Sequence, residues 1–252
     1  MPPRINLSYV LKSLPPGASW EESLELLPQA RPWLERERQR LEGMYLEQES
    51  LAPQGVVGCD EVGRGPLAGP LVAGAVLLEG RVWLPGLNDS KKLKPLERQV
   101  LAQWIKMRSR WALREISVQS LNERANILAS ALEGMALALG DLELAPQLVA
   151  VDGSQTLPNC PYPQRAVIKG DGRLPAIAAA SILAKVYRDQ LLEEAHLKWP
   201  QYAWAENKGY GTAAHLEALR LYGPSPYHRL NFEPVRQAAS LKPRELSLFD
   251  EE

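Results

Sequence analysis

The sequence predicts an α/β protein in which a mixed five-stranded sheet is flanked by helices, with a helical extension before it and a helical part after it. Three observations carry this. Four short apolar runs end close to glycine, proline or acid, as buried strands do, and a fifth run is rich in aromatic and β-branched residues. The segments around them follow the 3.6-residue period of helices. At 45% hydrophobic and 23% charged residues, the chain has enough apolar surface for a core and is not a disordered polypeptide.

Taken in order, residues 1–50 read as helices. Ser19 can cap a segment carrying Leu24, Leu26 and Leu27, and a second stretch places Trp33, Leu34, Leu41 and Met44 in one stripe among charges. That stripe suits a helix packed on the body of the protein, or one that binds a partner. Val56 to Cys59 and Leu71 to Leu78 are expected strands, and Lys94 to Ser109 a helix. Trp111 to Val118 is the third strand by its aromatic and β-branched content. Gln119 to Leu139, rich in Ala and Leu and free of proline, is expected to be one long helix. Leu148 to Val151 and Arg165 to Ile168 complete the strands, and Leu174 to Trp199 is a long helix with an Ala-rich face. GPSPYH at 223–228 is loop chemistry. The expected organisation is thus 1–50, a body over 51–240, and a polar, acidic tail over 241–252.

Composition narrows the function. Lys and Arg number 29 against 30 Asp and Glu, so a polyanionic partner would have to be held by a local patch. Two cysteines, Cys59 and Cys160, are too few for a disulfide framework and suit a reducing cytosol. No apolar run is long enough to span a membrane, and the start lacks the apolar core of a secretory signal. The expected setting is cytoplasmic, with a monomer as the default. GRGPLAG at 63–69 lacks the spacing of a dinucleotide loop, and no GK[ST] is present.

The informative feature is where the carboxylates fall. The first strand runs into Asp60 and Glu61, the fourth into Asp152, and the fifth into KGD with Asp171. Gathered together, such acids would repel one another and take up protons unless a cation sat among them. Hard divalent ions, Mg²⁺ or Mn²⁺, favour oxygen ligands and keep positions for water and phosphate. Two of them could clamp the attacking and leaving oxygens of a phosphodiester cleavage. An acid after a strand is also a common turn former or helix cap. Cys59, beside Asp60, should point to the opposite sheet face as a small core residue.

GCDEVGRGPLAGP (58–70), LNDSKKL (87–93), VDG (151–153), KGD with AIAAASILAKVYRD (169–189), and NKGYGTAAHLEAL with GPSPYHR (207–229) together resemble bacterial ribonuclease HII. The resemblance implies an RNase H-like fold and a metal-dependent endonuclease that hydrolyses RNA in RNA–DNA hybrids. It also implies cutting 5′ of single ribonucleotides in duplex DNA, leaving 3′-hydroxyl and 5′-phosphate ends. The catalytic, metal-holding quartet would be Asp60, Glu61, Asp152 and Asp171. Gly63, Arg64 and Gly65 would offer main-chain contacts to the 2′-hydroxyl that distinguishes RNA. Tyr210 would lie against the deoxyribose on the 3′ side. Cys59 and Val62 depart from the usual aliphatic residue and the common Ala of that family, and the first 50 residues fall outside its motifs.

Phosphate contacts need donors near the acids. Ser181, Lys185 and Arg188 share one helix face; the resemblance favours phosphate binding by Ser181 and Lys185, with Arg188 in a structural pair with Asp189. Ser90, Lys91 and Lys92 are further substrate-binding candidates. With Lys94, Arg98, Lys106, Arg108, Arg110 and Arg114 the two lysines give residues 88–114 eight basic groups against Asp89 and Glu97. His196 and His215 are expected on helix surfaces, and His228 could approach the substrate; none has zinc-ligand spacing. In the tail, ELSLF with Leu246, Leu248 and Phe249 resembles the short peptide that docks repair proteins on the DNA sliding clamp, and packing on the protein's own surface is the alternative. Two other functions stay open: a non-catalytic hybrid-binding module, and a ribonuclease HIII-like enzyme without junction preference.

Overall fold

The computed structural model describes residues 5–124 and 126–240. Three helices come first: α1 (Leu7–Ser13), α2 (Trp20–Leu26) and α3 (Arg31–Leu51). Asn6 caps α1 by accepting from the Tyr9 amide, and Ser19 with Glu22 forms the reciprocal capping box of α2. Then follow β1 (Val56–Val62), β2 (Leu71–Leu78), α4 (Pro95–Met107) and β3 (Ser109–Ile116). After them come α5 (Val118–Glu123), α6 (Ile127–Gly140), β4 (Leu148–Asp152) and β5 (Gln164–Val167). The chain continues through α7 (Pro175–Lys198), α8 (Trp204–Asn207), α9 (Ala213–Tyr222) and α10 (Glu233–Ser240).

The single long helix expected over 119–139 is two helices. Ser117 caps α5 through the Ser120 amide, and Arg124 is extended at φ −105°, ψ 125°. Asn126 Oδ1 then accepts from the amides of Leu128 and Ala129 and starts α6 afresh. An Asn side chain that competes for main-chain amides outweighs the helix propensity of the Ala and Leu around it. β3 begins two residues earlier than expected, because Arg108 leaves the helical region at φ −129° and ends α4.

Within the described residues the chain forms two compact units. The first holds α1–α4, the sheet, most of α6 and the N-terminal half of α7; the second holds 63–71, 116–130 and the chain from 188 onward. The sheet order is β3-β2-β1-β4-β5. β1 is antiparallel to β2 and parallel to β4, and β4 is parallel to β5. The N-terminal helices belong to the main core of the first unit. Val10, Leu11 and Leu14 of the first segment and Leu34, Leu41, Met44 and Tyr45 of α3 share one buried cluster with Val76, Leu101, Trp104, Ile105 and Leu183. Polar contacts reinforce this, with Tyr45 Oη donating to the Val82 carbonyl at 2.9 Å and Arg40 to that of Leu87 at 2.8 Å.

Helix α7 lies unusually close to β1. A Cβ at Gly58 would stand 2.2 Å from the main-chain atoms of Ala176 and Ile177, so only glycine permits this approach. Small residues continue along the helix as Ala178, Ala179 and Ala180, all fully buried. The close packing brings α7 onto the strand end where the acids lie. The second unit has its own apolar clusters, one around Leu192, Tyr202, Trp204 and Ala218 and one around Leu67, Leu219 and Val235.

Candidate active site

Strand register assembles the acids. β1 and β4 run parallel with Cys59 opposite Val151, so the next residues along, Asp60 and Asp152, are neighbours at the same edge of the sheet. Asp60 is 5% exposed, although it is a carboxylate. After β5, Lys169 adopts the left-handed conformation at φ 55° and turns the chain back, so that Gly170 and Asp171 form a tight helical turn. Asp152 Oδ1 accepts from the Gly170 amide at 2.7 Å and the Asp171 amide at 3.4 Å, which ties this turn to the end of β4.

Three strand ends thus deliver their carboxylates to one region, and the electrostatics record the crowding. Burial, then the charges of Glu61 and Asp152, hold the Asp60 carboxyl well above the usual carboxylate range; bonds from Ser181 and the Glu61 amide oppose this only in part. Asp171 is raised by burial, then by Asp89 and Asp152, with Lys91 acting the other way. Asp89 stands in the sequence as a counter-charge among lysines. In the fold it caps the turn Ser90–Lys92 and stands close enough to Asp171 to raise its carboxyl. Its sequence signal is its place in NDSKK, beside Lys91 and Lys92.

The donor set is entirely carboxylate oxygen, the chemistry of a hard divalent cation. Among the described residues no group of three or more His, Cys, Asp or Glu side chains is arranged to hold an ion by itself. The acids form linked pairs, Glu61 with Asp60, Asp60 with Asp152, Asp152 with Asp171, and Asp171 with Asp89. Mg²⁺ is commonly bound through one or two carboxylates while retaining several waters or phosphate oxygens, and linked pairs fit that demand.

The polar candidates around the acids divide into two groups. Ser90 and Ser181, both 3% exposed, are hydrogen-bonded to each other at 3.0 Å, and Ser181 also bonds Asp60. Ser181 thus supports the carboxylate directly and Ser90 supports it through Ser181. Lys91 and Lys92 are exposed, and Lys185 is half-buried on α7. Several of the eight basic groups in the run make bonds within the protein. Arg98 is buried and donates to the carbonyls of Ser90 and Leu93, Arg108 and Arg110 donate to those of Gly17 and Leu142, and Arg114 pairs with Asp141. Lys106 sits over the Trp111 ring. Cys59 is buried, as expected of a small core residue, and burial pushes its thiol up.

The second unit carries the remaining candidates. Gly63 has φ +105°, and a Cβ there would strike the buried Arg188 side chain at 2.3 Å, so this glycine answers to both conformation and packing. Arg188 donates to the carbonyls of Pro70, Lys208 and Ala68, and the charge of Asp189 acts on it as well. Arg229, equally buried, donates to those of Gly69 and Arg64. Two inward guanidiniums thereby fix the 64–70 loop by its carbonyls. At Gly65 a Cβ would meet only the Tyr210 ring, at 3.7 Å, so the space above this residue is left open. Tyr210 is 45% exposed. His215 and His228 differ from expectation. Both rings are buried, and His228 has both ring nitrogens engaged inside the protein, leaving none for a substrate. Leu246, Leu248 and Phe249 lie outside the described residues.

A sheet in the order β3-β2-β1-β4-β5, with acids at the ends of β1 and β4 and on the turn after β5, is the RNase H-like arrangement of a nuclease. The family model of ribonuclease HII matches residues 57–235. A ribonuclease HII of Caldanaerobacter subterraneus subsp. tengcongensis is 39% identical over 91% of this chain and 96% of its own length. Among solved structures, the ribonuclease H2 of Pyrococcus horikoshii OT3 superposes with a TM-score of 0.64 at 26% identity, covering 74% of this chain and 97% of that one. The ribonuclease HII of Archaeoglobus fulgidus, solved in complex with PCNA, gives 0.57 at 30% identity over 66% of this chain and 86% of that one. The chain belongs to the ribonuclease HII family. It is accordingly an endonuclease that cleaves RNA in RNA–DNA hybrids and serves ribonucleotide excision, and the family depends on divalent metal.

Proposed function

We propose that Asp60, Glu61, Asp152 and Asp171 hold the divalent ions of this ribonuclease, and that the scissile phosphate is the one 5′ to a ribonucleotide. The observation that carries this is Asp60, a buried carboxyl crowded by Glu61 and Asp152, which is costly to ionise unless a cation neutralises the group. Two Mg²⁺ or Mn²⁺ ions bound there would supply Lewis-acid activation of water and neutralise the charge that builds on the phosphate. The protein's own part is positioning. Ser181 orients Asp60, and the Gly170 and Asp171 amides orient Asp152. Lys91, Lys92 and Lys185 supply cationic donors for phosphate.

The second unit reads the sugar. Gly63, Arg64 and Gly65 present main chain to the 2′-hydroxyl, and the Tyr210 ring takes the deoxyribose that follows. A flat ring tolerates a sugar lacking the hydroxyl and disfavours one that carries it, which makes the RNA-to-DNA junction the preferred site. Cleavage leaves 3′-hydroxyl and 5′-phosphate ends, as removal of lone ribonucleotides and RNA primers requires. The enzyme works as a monomer in the compartment that holds the chromosome. Among the described residues no helix is long and apolar enough to cross a membrane. Docking of ELSLF on a sliding clamp is supported by the Archaeoglobus relative, which was solved with PCNA. A labelled duplex containing one ribonucleotide, incubated with Mg²⁺, Mn²⁺ or chelator, tests the reading. Cleavage 5′ of the ribonucleotide with either metal and none with chelator is expected, and Tyr210→Ala should impair this substrate more than a long hybrid. Equal losses on the two substrates would defeat the junction model.

A further inference from the structure

The second unit contains two buried histidines that the cleavage chemistry does not use. His215 and His228, 0% and 1% exposed, meet Nε2 to Nε2 at 3.0 Å. Their partners decide which nitrogen carries each proton. The Trp204 indole can only donate, and it lies 3.2 Å from His215 Nε2, so that nitrogen accepts. His215 therefore carries its proton on Nδ1, where the Tyr210 carbonyl, which can only accept, stands at 2.9 Å. On His228, Nδ1 has the Ser225 hydroxyl and the Ser225 main-chain amide both at 2.9 Å, and the amide, which can only donate, makes this nitrogen an acceptor. Its proton is then on Nε2 and points at His215 Nε2, whose single lone pair is shared with the longer Trp204 bond, in agreement with the assignment reached from the tryptophan. A second proton on either ring would set N–H against N–H, so both rings are neutral. Burial lowers the pKa of both, that of His228 to about 3.

This directed chain ends on the main chain of Tyr210. The segment needs such a hold, because Lys208 at φ 51° and Gly209 at φ 83° are both left-handed, and a non-glycine residue there carries strain. The Gly209 carbonyl accepts from the Leu67 amide at 2.8 Å, which joins the Tyr210 segment to the loop that contains Gly65. We propose that His215 and His228 are positioning residues for junction recognition. Together they form a buried, uncharged relay from Ser225 to the Tyr210 carbonyl, with each ring held in one tautomer, and it keeps the Tyr210 ring beside Gly65. The inference rests on the reading of Tyr210 as the residue that faces the deoxyribose.

The test uses the full-length protein. Nitrogen NMR of ¹⁵N-histidine-labelled enzyme should show His215 protonated on Nδ1 and His228 on Nε2, unchanged across neutral pH. The opposite tautomers, or a cationic ring at neutral pH, would overturn the relay without any variant being made. Cleavage supplies the functional arm, read as the ratio of kcat/KM on a single-ribonucleotide duplex to that on a long hybrid. His215→Asn, whose amide nitrogen replaces Nδ1, should keep the ratio. His215→Leu should lower it about threefold to tenfold, the worth of one hydrogen bond, and should add nothing once Tyr210→Ala is present. If Tyr210→Ala lowers the ratio and folded His215→Leu does not, the relay is wrong and the Tyr210 reading survives. If Tyr210→Ala leaves the ratio unchanged, the Tyr210 reading fails and the proposal falls with it.

Discussion

Replacing Gly58 by alanine tests how tightly the site depends on the contact between β1 and α7. The added Cβ would stand 2.2 Å from the carbonyl carbon of Ala176 and the amide nitrogen of Ile177. Relaxed carbon contacts begin near about 3.5 Å, so the helix must retreat by roughly 1 Å. No flexible side chain can absorb this, because both struck atoms are main chain. Overpacking of this kind costs about 1–3 kcal/mol. The retreat also disturbs chemistry, since α7 carries Ser181, which bonds Asp60, and the Asp171 turn leads directly into it through the Leu174 amide bond to Gly170 at 2.8 Å. A misplacement of about 1 Å at reacting groups lowers turnover about 100-fold. Gly43 provides the opposite sign. It lies within α3 with nothing within 4 Å of its added Cβ, so Gly43→Ala should stabilise by about 0.5–1 kcal/mol. Urea unfolding and single-ribonucleotide cleavage measure both variants. Parental stability and turnover in Gly58→Ala would refute the claim that this contact sets the position of the acids.

Other consequences follow from the same geometry. Asp60→Asn should abolish cleavage and retain hybrid binding. In chelator it should also melt above the parent, because it removes a buried charge that Glu61 and Asp152 repel; Mg²⁺ should raise the parent's melting point more than the variant's. Acid should weaken the second unit through His228. Unfolded, this histidine takes up a proton near about pH 6.5, whereas folded it waits until about 3, so in that window the unfolded state binds more protons and stability falls as pH falls. Each unit below pH 6.5 costs about 1.4 kcal/mol. Asp60 and Asp171, with raised folded pKa values, act in the opposite direction, so the contribution is read as the difference in slope between the parent and His228→Gln in urea titrations from pH 6.5 to 4. Deleting 245–252 should abolish capture by an immobilised sliding clamp and leave cleavage of short duplexes unchanged; retained capture would argue against ELSLF as the docking peptide.

Much of this molecule was legible from residue order, because the signals concerned are local. Apolar runs ending in acid identified β1, β4 and the β5 turn, and the stripe of Leu34, Leu41 and Met44 identified the buried face of α3. Whether Asp60 meets Asp152 and Asp171, which follow far along the chain, was not local information; it depended on β4 pairing parallel to β1 with Cys59 opposite Val151. The errors have one physical source, competition among polar partners that only the fold brings together. Asn126 took helix amides that composition alone assigned to one continuous helix. Arg98 found two carbonyls, so a group that looked like part of a cationic patch became an internal support. His228, in a loop that reads as exposed, was buried against His215 because Trp204 and Ser225 satisfy the nitrogens that water would otherwise hold. The types of chemistry available to this chain are written in its order of residues. Which donor answers which acceptor is a matter of distance, and distance between remote residues exists only once the strands have paired and α7 has settled on Gly58.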